Sequence, residues 1–318
     1  MKTRSQTLRR ALTTAGLLFA FSAAHAEEVD PQTFASPESA GKALAAAARE
    51  DDGKLTAIFG PNTGDLLSSG DPVADRRRRE RFVAAYEKKH GWVPAAGDEM
   101  ILNVGEKDWP FPIPLVDTKD GWRFDTKRGA EEILNRRIGR NELGAIQACL
   151  AFVDAEREYF QRAPMGGASQ YAQFIASSEG KKNGLHWDVK EGEEPSPLGA
   201  LFSAARAEGY DPKQGSGEPY HGYVYRVLLE QGDDANGGEL DYVVDGKMTR
   251  GFALIAWPAK YDASGVMTFL VNQTGVVYEK DLGPDTAELA RKIEEFDPDE
   301  SWDVVSAEAR RPPGSSAD

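Results

Sequence analysis

The chain has 318 residues, of which 38 are lysine or arginine and 52 are aspartate or glutamate, so its formal net charge is −14. This excess of acid argues against binding to nucleic acid or to an anionic lipid surface, because both need a basic face. Hydrophobic residues make up 40% of the chain, which is enough for a buried core and excludes wholesale disorder. One cysteine and four histidines argue against a closed zinc site, and we expect no cofactor.

The first 26 residues have the layout of a secretory signal peptide. A basic segment ending in Arg9 and Arg10 precedes an apolar run, and Ala24-His25-Ala26 closes it with small residues. The apolar run is too short for a stable membrane span, although an uncleaved anchor is the alternative. We therefore expect cleavage after Ala26 and a periplasmic or secreted protein. Cleavage removes four cations and no acid, which brings the net charge to −18.

Residues 27–128 predict helices followed by β-hairpins. Ser36 is a suitable N-cap and Pro37 suits the first helical position, so a helix is expected to start there. Further helices are expected at residues 55–59 and 74–89, and strands at residues 99–104, 111–116 and 122–125. Helices followed by hairpins are typical of an α+β domain. The pattern resembles the curved antiparallel sheet of the nuclear-transport-factor-like cone fold.

Residues 129–302 predict a long helix followed by an antiparallel β-meander. Spacings of three and four produce one apolar stripe along the helix, formed by Leu143, Ile146, Leu150, Val153 and Phe160. A loop region at residues 165–219 precedes β-rich segments at residues 220–281, which are separated by turn dipeptides such as Asp245-Gly246. A closing helix is expected near residues 285–296, and residues 303–318 are expected to be a disordered tail.

The predicted fold class is therefore α+β with two domains, at residues 27–128 and 129–302. The apolar stripe from Leu143 to Phe160 must be covered, and both faces of the strand at residues 252–257 are apolar. We expect the long helix to dock on one face of the sheet. The closing helix or the loop region would then cover the other face, and residues 27–128 would form a separate packing unit.

Several sequence blocks between residues 34 and 302 carry a family resemblance. They include DWPFPIPLV, EEILNRRIGRNEL, PYHGYVYRVLLEQG and SGVMTFLVNQTGVVYEKDLGPDT. In this order they resemble the bacterial domain-of-unknown-function family twenty-nine-fifty. The resemblance implies an exported protein, mostly found in proteobacteria, with no established activity and no catalytic residues to carry over. NGLHWD departs from the tyrosine-tryptophan pair expected there, and YDASG lacks the glycine that usually follows the tyrosine.

A second resemblance covers the C-terminal half. NELGAIQACLAFVDAEREYF followed by GFALIAWPAKYDASGVMTFLVNQTGVVYE is similar to pilin-like and pseudopilin-like proteins, in which a long helix packs on an antiparallel sheet. The chain lacks the apolar N-terminal helix after a prepilin-peptidase site that such proteins use for assembly. The resemblance therefore implies the globular shape without polymerisation. A shared fold alone says little about function.

Signatures of known catalytic sites are not present in the sequence. It contains no HExxH, no GxSxG elbow, no SxxK and no phosphate-binding glycine loop, so catalytic residues stay unknown. Cys149 lies beside the apolar stripe and is expected to pack as a small apolar residue. His90 is expected to cap a helix C-terminus.

Four residues are candidates for binding. Trp109 and Phe111 alternate with prolines in an extended segment, which favours core packing or, alternatively, an aromatic docking groove. Tyr220 and His221 lie at the start of a strand. There a histidine satisfied by its neighbours is favoured over a catalytic base.

Two charged segments were weighed as ion sites. The acidic loop with Asp233, Asp234, Asn236 and Asp241 offers oxygen ligands for calcium, but the glycines fall too early for an EF-hand, so a solvated loop is favoured and no metal is expected. The arginine run at residues 76–79 lies next to acids and is expected to form solvated ion pairs rather than an anion site.

These observations favour an exported envelope protein that acts as a binding or structural module. Its expected partner is another envelope protein or a cell-wall component, with no nucleic acid and no transmembrane span in the mature chain. The alternative is a hydrolase or other enzyme with an unconventional site. A pocket that joins His221 to an acid and to a serine, threonine or cysteine would favour the enzyme.

Overall fold

The protein is described by a computed structural model that covers residues 31–50, 52–211 and 217–310. The expected signal peptide lies outside these residues. Within them the fold is mixed α+β, as expected from the sequence. The helices of the described residues are α1 (Pro37–Glu50), α2 (Asp52–Phe59), α3 (Gly64–Leu67), α4 (Pro72–Lys88), α5 (Thr126–Arg162), α6 (Gly199–Glu208) and α7 (Thr286–Lys292).

The strands form two main sheets and several small ones. Those of the N-terminal half are β1 (His90–Pro94), β2 (Glu99–Val104), β3 (Trp109–Pro110), β4 (Leu115–Thr118) and β5 (Gly121–Phe124). After α5 come β6 (Phe174–Ala176), β7 (Gly184–His186), β8 (Tyr223–Leu228), β9 (Glu230–Gln231), β10 (Leu240–Asp241), β11 (Val243–Val244) and β12 (Lys247–Met248). The last are β13 (Ala253–Pro258), β14 (Met267–Asn272), β15 (Val277–Asp281) and β16 (Asp303–Val304).

The N-terminal half packs helices on an antiparallel sheet of order β1-β2-β4-β5, with β3 paired to β2. Helix α1 begins where expected, because the Ser36 hydroxyl accepts a hydrogen bond from the Ser39 N–H at 3.2 Å. Helices α1, α2 and α4 contact this sheet and bury its inner face. The core includes Leu44, Phe59, Leu102, Leu115 and Phe124.

Helix α5 is shared by both halves of the molecule. Its first turns pack in the N-terminal core, where Gly129 approaches Ile113 so closely that a Cβ would lie 2.6 Å from the Ile113 Cα. Farther along, Ile146 and Val153 are buried against the C-terminal sheet, as the stripe predicts. The predicted domain boundary at residue 128 therefore falls inside a continuous helix, and independent folding of residues 27–128 stays a prediction.

The prediction that the whole apolar stripe is buried is wrong at its N-terminal end. Leu143 is 45% exposed, whereas Glu156, next to the stripe, is completely buried. Glu156 is turned inward because the Ala172 N–H donates to its carboxylate at 2.8 Å, where the loop after α5 crosses the helix. The burial of α5 thus depends on which chain segments cover it, and periodicity alone does not contain that information.

The C-terminal half is an antiparallel sheet of order β16-β15-β14-β13-β8, with helices on both faces. Helix α5 contacts β13 and β14, and α7 contacts β13 from the other side. Every residue of β13 is buried, which confirms the expectation that both faces of this strand are covered. The Asp245-Gly246 turn joins β11 to β12, as its sequence predicts.

The expected capping role of His90 is confirmed, because its ring lies at the end of α4 with Nδ1 2.8 Å from the Tyr86 carbonyl oxygen. The chain enters β1 at the same residue. One other expectation needs correction. The disordered tail expected at residues 303–318 is wrong for residues 303–310. Strand β16 pairs with β15 and Val305 is 1% exposed, because its side chain fills the C-terminal core.

The two halves are joined by buried polar contacts as well as by α5. Asp71, the N-cap of α4, accepts hydrogen bonds from the Ala74 N–H, the Tyr210 hydroxyl and the Gly222 N–H at 2.8–2.9 Å. Its carboxylate has no solvent exposure. In the part of the chain that the structure describes, no helix is both long enough and apolar enough to cross a bilayer.

Candidate functional site

A cavity of about 530 Å³ lies between the helices and the sheet of the N-terminal half. One wall is apolar and is formed by residues of α1, α2 and the segment around β3. The facing wall carries arginines from two helices, α4 and α5. We call this space the arginine cavity; the arginines that line it are Arg78, Arg79, Arg81, Arg136, Arg137 and Arg140.

The apolar wall is built around Phe111. Its ring stacks on Phe59 at 6.4 Å between centroids and lies 5.4 Å from the ring of Phe82. Trp109 contacts Phe111 edge to face at 6.4 Å and is 44% exposed, which places it at the rim. Ile113 is completely buried behind them. The wall therefore offers aromatic and aliphatic surface to anything that enters the cavity.

Four of the six arginines have partners within the protein, and Arg136 pairs with Glu132 on its own helix. Arg78 forms an ion pair with Asp75 at 2.7 Å. Arg137 is 3% exposed and donates to the carbonyl oxygens of Asp65 at 2.7 Å, of Leu66, and of Ala263 at 3.2 Å. Its Nε is buried and has no hydrogen-bond partner among the described residues. Three of its contacts thus fix Arg137 in place while one donor is left unsatisfied.

Two other arginines of the cavity are not paired. Arg81 and Arg140 are exposed and make no hydrogen bond or ion pair within the described residues, whereas Arg79 pairs with Asp52 at 2.7 Å. Burial and then the charge of Arg78 lower the pKa of Arg137 to about 10, so its guanidinium stays protonated at neutral pH. Burial is also the main cause that lowers the pKa of Arg78, with Arg140 and Arg81 contributing. Positive charge therefore accumulates here beyond what the local acids neutralise.

The structure places the four predicted binding residues at two separate locations. Trp109 lines the arginine cavity together with Phe111, which is compatible with the docking-groove alternative. Tyr220 lines a second cavity, of about 370 Å³, between α6 and β8 in the C-terminal half. His221 lies next to it, with its ring 4.2 Å from that of Tyr220. A binding role for all four residues stays a prediction.

The arginine run at residues 76–79 divides between two environments. Arg76 is exposed and lies 3.9 Å from Glu80, in agreement with the expected solvated ion pairing. Arg78 and Arg79 also form ion pairs, with Asp75 and Asp52, but their side chains are only partly exposed and line the cavity. Helix geometry explains the division, because successive residues are rotated by about 100° and a run of four must surround the axis.

His221 has an acid partner. Its Nε2 lies 2.8 Å from Glu208, its backbone N–H donates to the Tyr210 hydroxyl at 3.3 Å, and its φ of +51° is unusual for a residue other than glycine. These contacts include no serine, threonine or cysteine of the described residues. The enzyme alternative requires both an acid and a nucleophile beside His221. Glu208 is such an acid, but these contacts include no nucleophile.

A serine and a histidine do meet elsewhere. The Ser196 hydroxyl lies 3.1 Å from His186 Nδ1, and Asp188 lies 3.7 Å from His186 Nε2. Burial is the main cause that lowers the pKa of His186. Ser196 is only 4% exposed, which leaves its hydroxyl poorly accessible to a substrate. This pair therefore reads as a buried polar contact.

The remaining candidates occupy structural positions. Cys149 is completely buried, as expected, and burial raises the pKa of its thiol to about 12. The acidic loop is closed by Asp297, which accepts hydrogen bonds from the N–H groups of Asp234 and Ala235. Among the described residues, no group of three or more histidine, cysteine, aspartate or glutamate side chains could hold a metal ion. The calcium alternative at Asp233, Asp234, Asn236 and Asp241 gains no support from this.

Sequence reasoning considered one arginine segment and missed the other. Arg78 and Arg81, like Arg137 and Arg140, are three residues apart and so share a helix face. The segments RRRRER and NRRIGR are the available signal, because both are strongly basic in a chain of net charge −14. Their apposition across one cavity requires the packing of α4 and α5, which the spacing within each helix does not encode.

Comparison with known proteins identifies one family. The family model described as protein of unknown function (DUF2950) matches residues 31–305. No curated protein and no solved structure gives a significant match to the chain. The resemblance to pilin-like proteins therefore stays a prediction.

Proposed function

Because the chain belongs to the DUF2950 family of proteins of unknown function, its role has to be argued from its site, and we propose that it is a binding protein for a small amphipathic anion. The arginine cavity would hold the ligand, with the anionic head at the arginines and the apolar body against the aromatic wall. The observation that carries this proposal is that Arg81 and Arg140 line an apolar cavity without a carboxylate partner in the described residues.

The charge distribution supports an anionic head group. Guanidinium groups that approach one another raise each other's energy, and burial adds a desolvation penalty. An anion between α4 and α5 would offset both effects and could accept a hydrogen bond from the unsatisfied Nε of Arg137. The surrounding protein is strongly acidic, so this accumulation of cations is a local feature rather than a general property of its surface.

The shape and the opposite wall support an apolar body. A volume of about 530 Å³ lies within the range of about 300–1,000 Å³ that is typical of small-molecule sites. Phe59, Phe82 and Phe111 provide contiguous apolar surface, which gains free energy when it is covered. A small inorganic anion would pair with the arginines but leave the aromatic wall exposed to water. An amphiphile would cover that wall as well, so it fits the cavity better.

A location in the cell envelope belongs to the same proposal. The basic segment, apolar run and small residues before Glu27 support export and cleavage after Ala26. N-terminal sequencing of the protein recovered from a periplasmic fraction tests this, and we expect the chain to begin at Glu27. Recovery of a chain that begins at Met1 in the cytoplasmic fraction would contradict export.

Calorimetric titration tests the proposed ligand class. The chain from residue 27 to residue 318 would be titrated with decanoate and with decyl phosphate, both below their micellar concentrations, and with uncharged decanol below its solubility limit. We expect either anion to bind at least tenfold more tightly than decanol, because the neutral head leaves the guanidinium groups unpaired. The two anions distinguish a carboxylate from a phosphate head group.

Two variants with a matched control locate the binding site. Arg140→Gln should weaken binding of the preferred anion about fivefold, since one charge-assisted hydrogen bond from an exposed arginine contributes roughly 1 kcal/mol. Arg81→Gln should act in the same direction. Arg76→Gln on helix α4 serves as the control, because Arg76 is exposed like Arg81 and Arg140 but lies outside the cavity. Equal binding of decanol and decanoate, or equal effects of Arg140→Gln and Arg76→Gln, would overturn the proposal.

A further inference from the structure

The chain contains two Asn-Gly dipeptides, Asn183-Gly184 and Asn236-Gly237. In such a pair the backbone nitrogen of glycine can attack the side-chain amide carbon of asparagine, because glycine has no side chain that hinders the approach. The reaction requires both groups to move toward each other, so its rate depends on how firmly the surrounding structure holds them. The two dipeptides have the same chemistry and different surroundings.

Asn183-Gly184 is fixed by hydrogen bonds to both reacting groups. The Asn183 side-chain oxygen accepts from the Ser178 N–H at 3.0 Å, and its amide nitrogen donates to the Ser178 hydroxyl at 3.2 Å. The Gly184 N–H donates to the Ser177 hydroxyl at 2.9 Å. Gly184 is buried at the start of β7, where a Cβ would lie 2.6 Å from the Ala176 carbonyl carbon. Attack at this dipeptide therefore requires all these contacts to break.

Asn236-Gly237 lies in the acidic loop between β9 and β10, and both residues are exposed. In the described part of the chain, neither the Asn236 side chain nor the Gly237 N–H has a hydrogen-bond partner. The Gly238 N–H donates to the Ala235 carbonyl oxygen at 2.9 Å, which places the dipeptide at the centre of a turn, with a φ of +104° at Gly237. The two reacting groups are thus not held by other side chains.

The turn itself is the remaining barrier to the reaction. Ring closure requires the Asn236 backbone to rotate out of the turn, so that the Gly237 nitrogen meets the side-chain carbon. Besides the turn hydrogen bond, the Gln231 side chain donates to the carbonyl oxygens of Asn236 at 3.3 Å and of Gly238 at 2.7 Å. Opening of this exposed turn breaks only these few contacts, whereas release of Asn183-Gly184 also requires β7 to separate from β6.

We propose that Asn236 is a site of spontaneous covalent modification, at which the chain converts its own asparagine to isoaspartate and aspartate with water as the co-reactant. The Gly237 nitrogen loses its proton and bonds to the Asn236 side-chain carbon, and ammonia leaves, which produces a five-membered cyclic imide. Water then adds to one of the two imide carbonyl carbons, and the ring C–N bond to that carbon breaks. Breakage at the side-chain carbon gives aspartate, and breakage at the main-chain carbon gives isoaspartate. The site is separate from the arginine cavity and does not depend on the proposed anion.

The modification alters a contact with the C-terminal core. In isoaspartate the main-chain carbonyl group of residue 236 becomes a free carboxylate, so the oxygen that accepts from Gln231 is no longer part of the peptide bond. Gln231 is buried, and its Oε1 accepts from the Tyr242 hydroxyl at 2.9 Å, which connects the turn to the core. Both products add one negative charge to a loop that already carries Asp233 and Asp234. The modified chain should therefore be more acidic, and the isoaspartate form should be less stable.

Peptide mapping by mass spectrometry tests the proposal. The chain from residue 27 to residue 318 is incubated at mildly alkaline pH, which favours loss of the glycine N–H proton, and is then digested. The peptides that contain residues 183 and 236 are compared for conversion of amide to acid, and isoaspartyl methyltransferase labels the isoaspartate product. We expect Asn236 to react at least tenfold faster than Asn183 in the native protein, because its turn opens more easily.

The unfolded chain provides the internal control. In urea both dipeptides lose their structure, and their rates should agree within about twofold, because the reaction then depends mainly on the Asn-Gly pair itself. Ser177→Ala removes the acceptor of the Gly184 N–H. This variant should raise the native rate at Asn183 and leave the rate at Asn236 unchanged.

Two substitutions at residue 236 identify the product and its effect. Asn236→Gln should abolish formation of the acidic species, because its longer side chain would have to close a six-membered ring. Asn236→Asp carries the charge of the modified chain on an unaltered backbone. A lower Tm for the incubated wild type than for Asn236→Asp supports isoaspartate as the main product.

Three results would overturn the proposal. Equal native rates at Asn183 and Asn236 would mean that the surroundings do not select the site. No reaction at Asn236 over a period in which the chain in urea reacts completely would mean that the turn protects it. Formation of the same acidic species from Asn236→Gln would place the modification at another residue.

Discussion

Replacement of Asp71 by alanine should destabilise the whole molecule, because this buried carboxylate ties α4 to the C-terminal half. The side chain caps α4 at the Ala74 N–H and accepts from the Tyr210 hydroxyl and the Gly222 N–H, all at 2.8–2.9 Å. Loss of the cap costs about 1 kcal/mol. Loss of two hydrogen bonds to a buried carboxylate costs about 1–2 kcal/mol each. We therefore expect Asp71→Ala to lower the free energy of unfolding by roughly 3–5 kcal/mol.

Urea titration and scanning calorimetry measure this change. A loss of that size is a large share of the 5–15 kcal/mol that is typical of folded proteins, and it should lower Tm by roughly 10 °C. Tyr210→Phe removes one of the three contacts and should cost about 1 kcal/mol. In a double-mutant cycle the effects of Asp71→Ala and Tyr210→Phe should be less than additive, because both remove the same hydrogen bond.

An exposed aspartate provides the control for this experiment. Asp120 lies in the turn between β4 and β5, and Asp120→Ala should change stability by less than about 0.5 kcal/mol. If Asp71→Ala unfolds within that margin of the wild type, the buried contacts of Asp71 do not stabilise the protein. Additive effects of Asp71→Ala and Tyr210→Phe would mean that the two side chains do not interact in solution.

Three further predictions concern α5. Cys149 should react with a thiol reagent only after denaturation, since the thiol is buried and burial raises its pKa to about 12. The reaction is monitored by absorbance. Rapid labelling of the native protein would contradict this prediction. Simultaneous replacement of Ile146 and Val153 by aspartate should abolish the folded C-terminal half, because two unpaired carboxylates would be buried at a cost of several kcal/mol. Circular dichroism measures this loss. Unchanged melting would mean that this face of α5 is exposed in solution. Burial raises the pKa of Glu156 well above 4.5, so folding favours the protonated form of this side chain. Protonated Glu156 makes its full contribution to the stability of the fold below about pH 4.5. That contribution is lost as the pH rises through the pKa of the folded state. Glu156→Gln should therefore raise Tm at pH 7–8 more than at pH 4, and a pH-independent difference would show that Glu156 does not titrate in this way.

Local sequence chemistry determined the types of element and several of their boundaries. The Ser36-Pro37 start of α1 and the Asp245-Gly246 hairpin follow from capping and turn geometry, which involve only neighbouring residues. The span of β2 follows in the same way from its alternation. Family membership was also readable, since many separate blocks occur in a fixed order along the chain.

Contacts between distant segments decided the rest. Periodicity marks a helix face but not what covers it, so Leu143 was expected to be buried and Glu156 was overlooked. The arginine cavity forms because α4 and α5 pack with their basic faces toward one space, and nothing within either helix specifies the other helix as its neighbour. The position of β8 at the end of its sheet likewise depends on strand order, because a strand sequence does not show whether the strand lies at the edge or the centre of its sheet. The arginine cavity arises from this tertiary arrangement, while the sequence by itself determined the elements from which it is built.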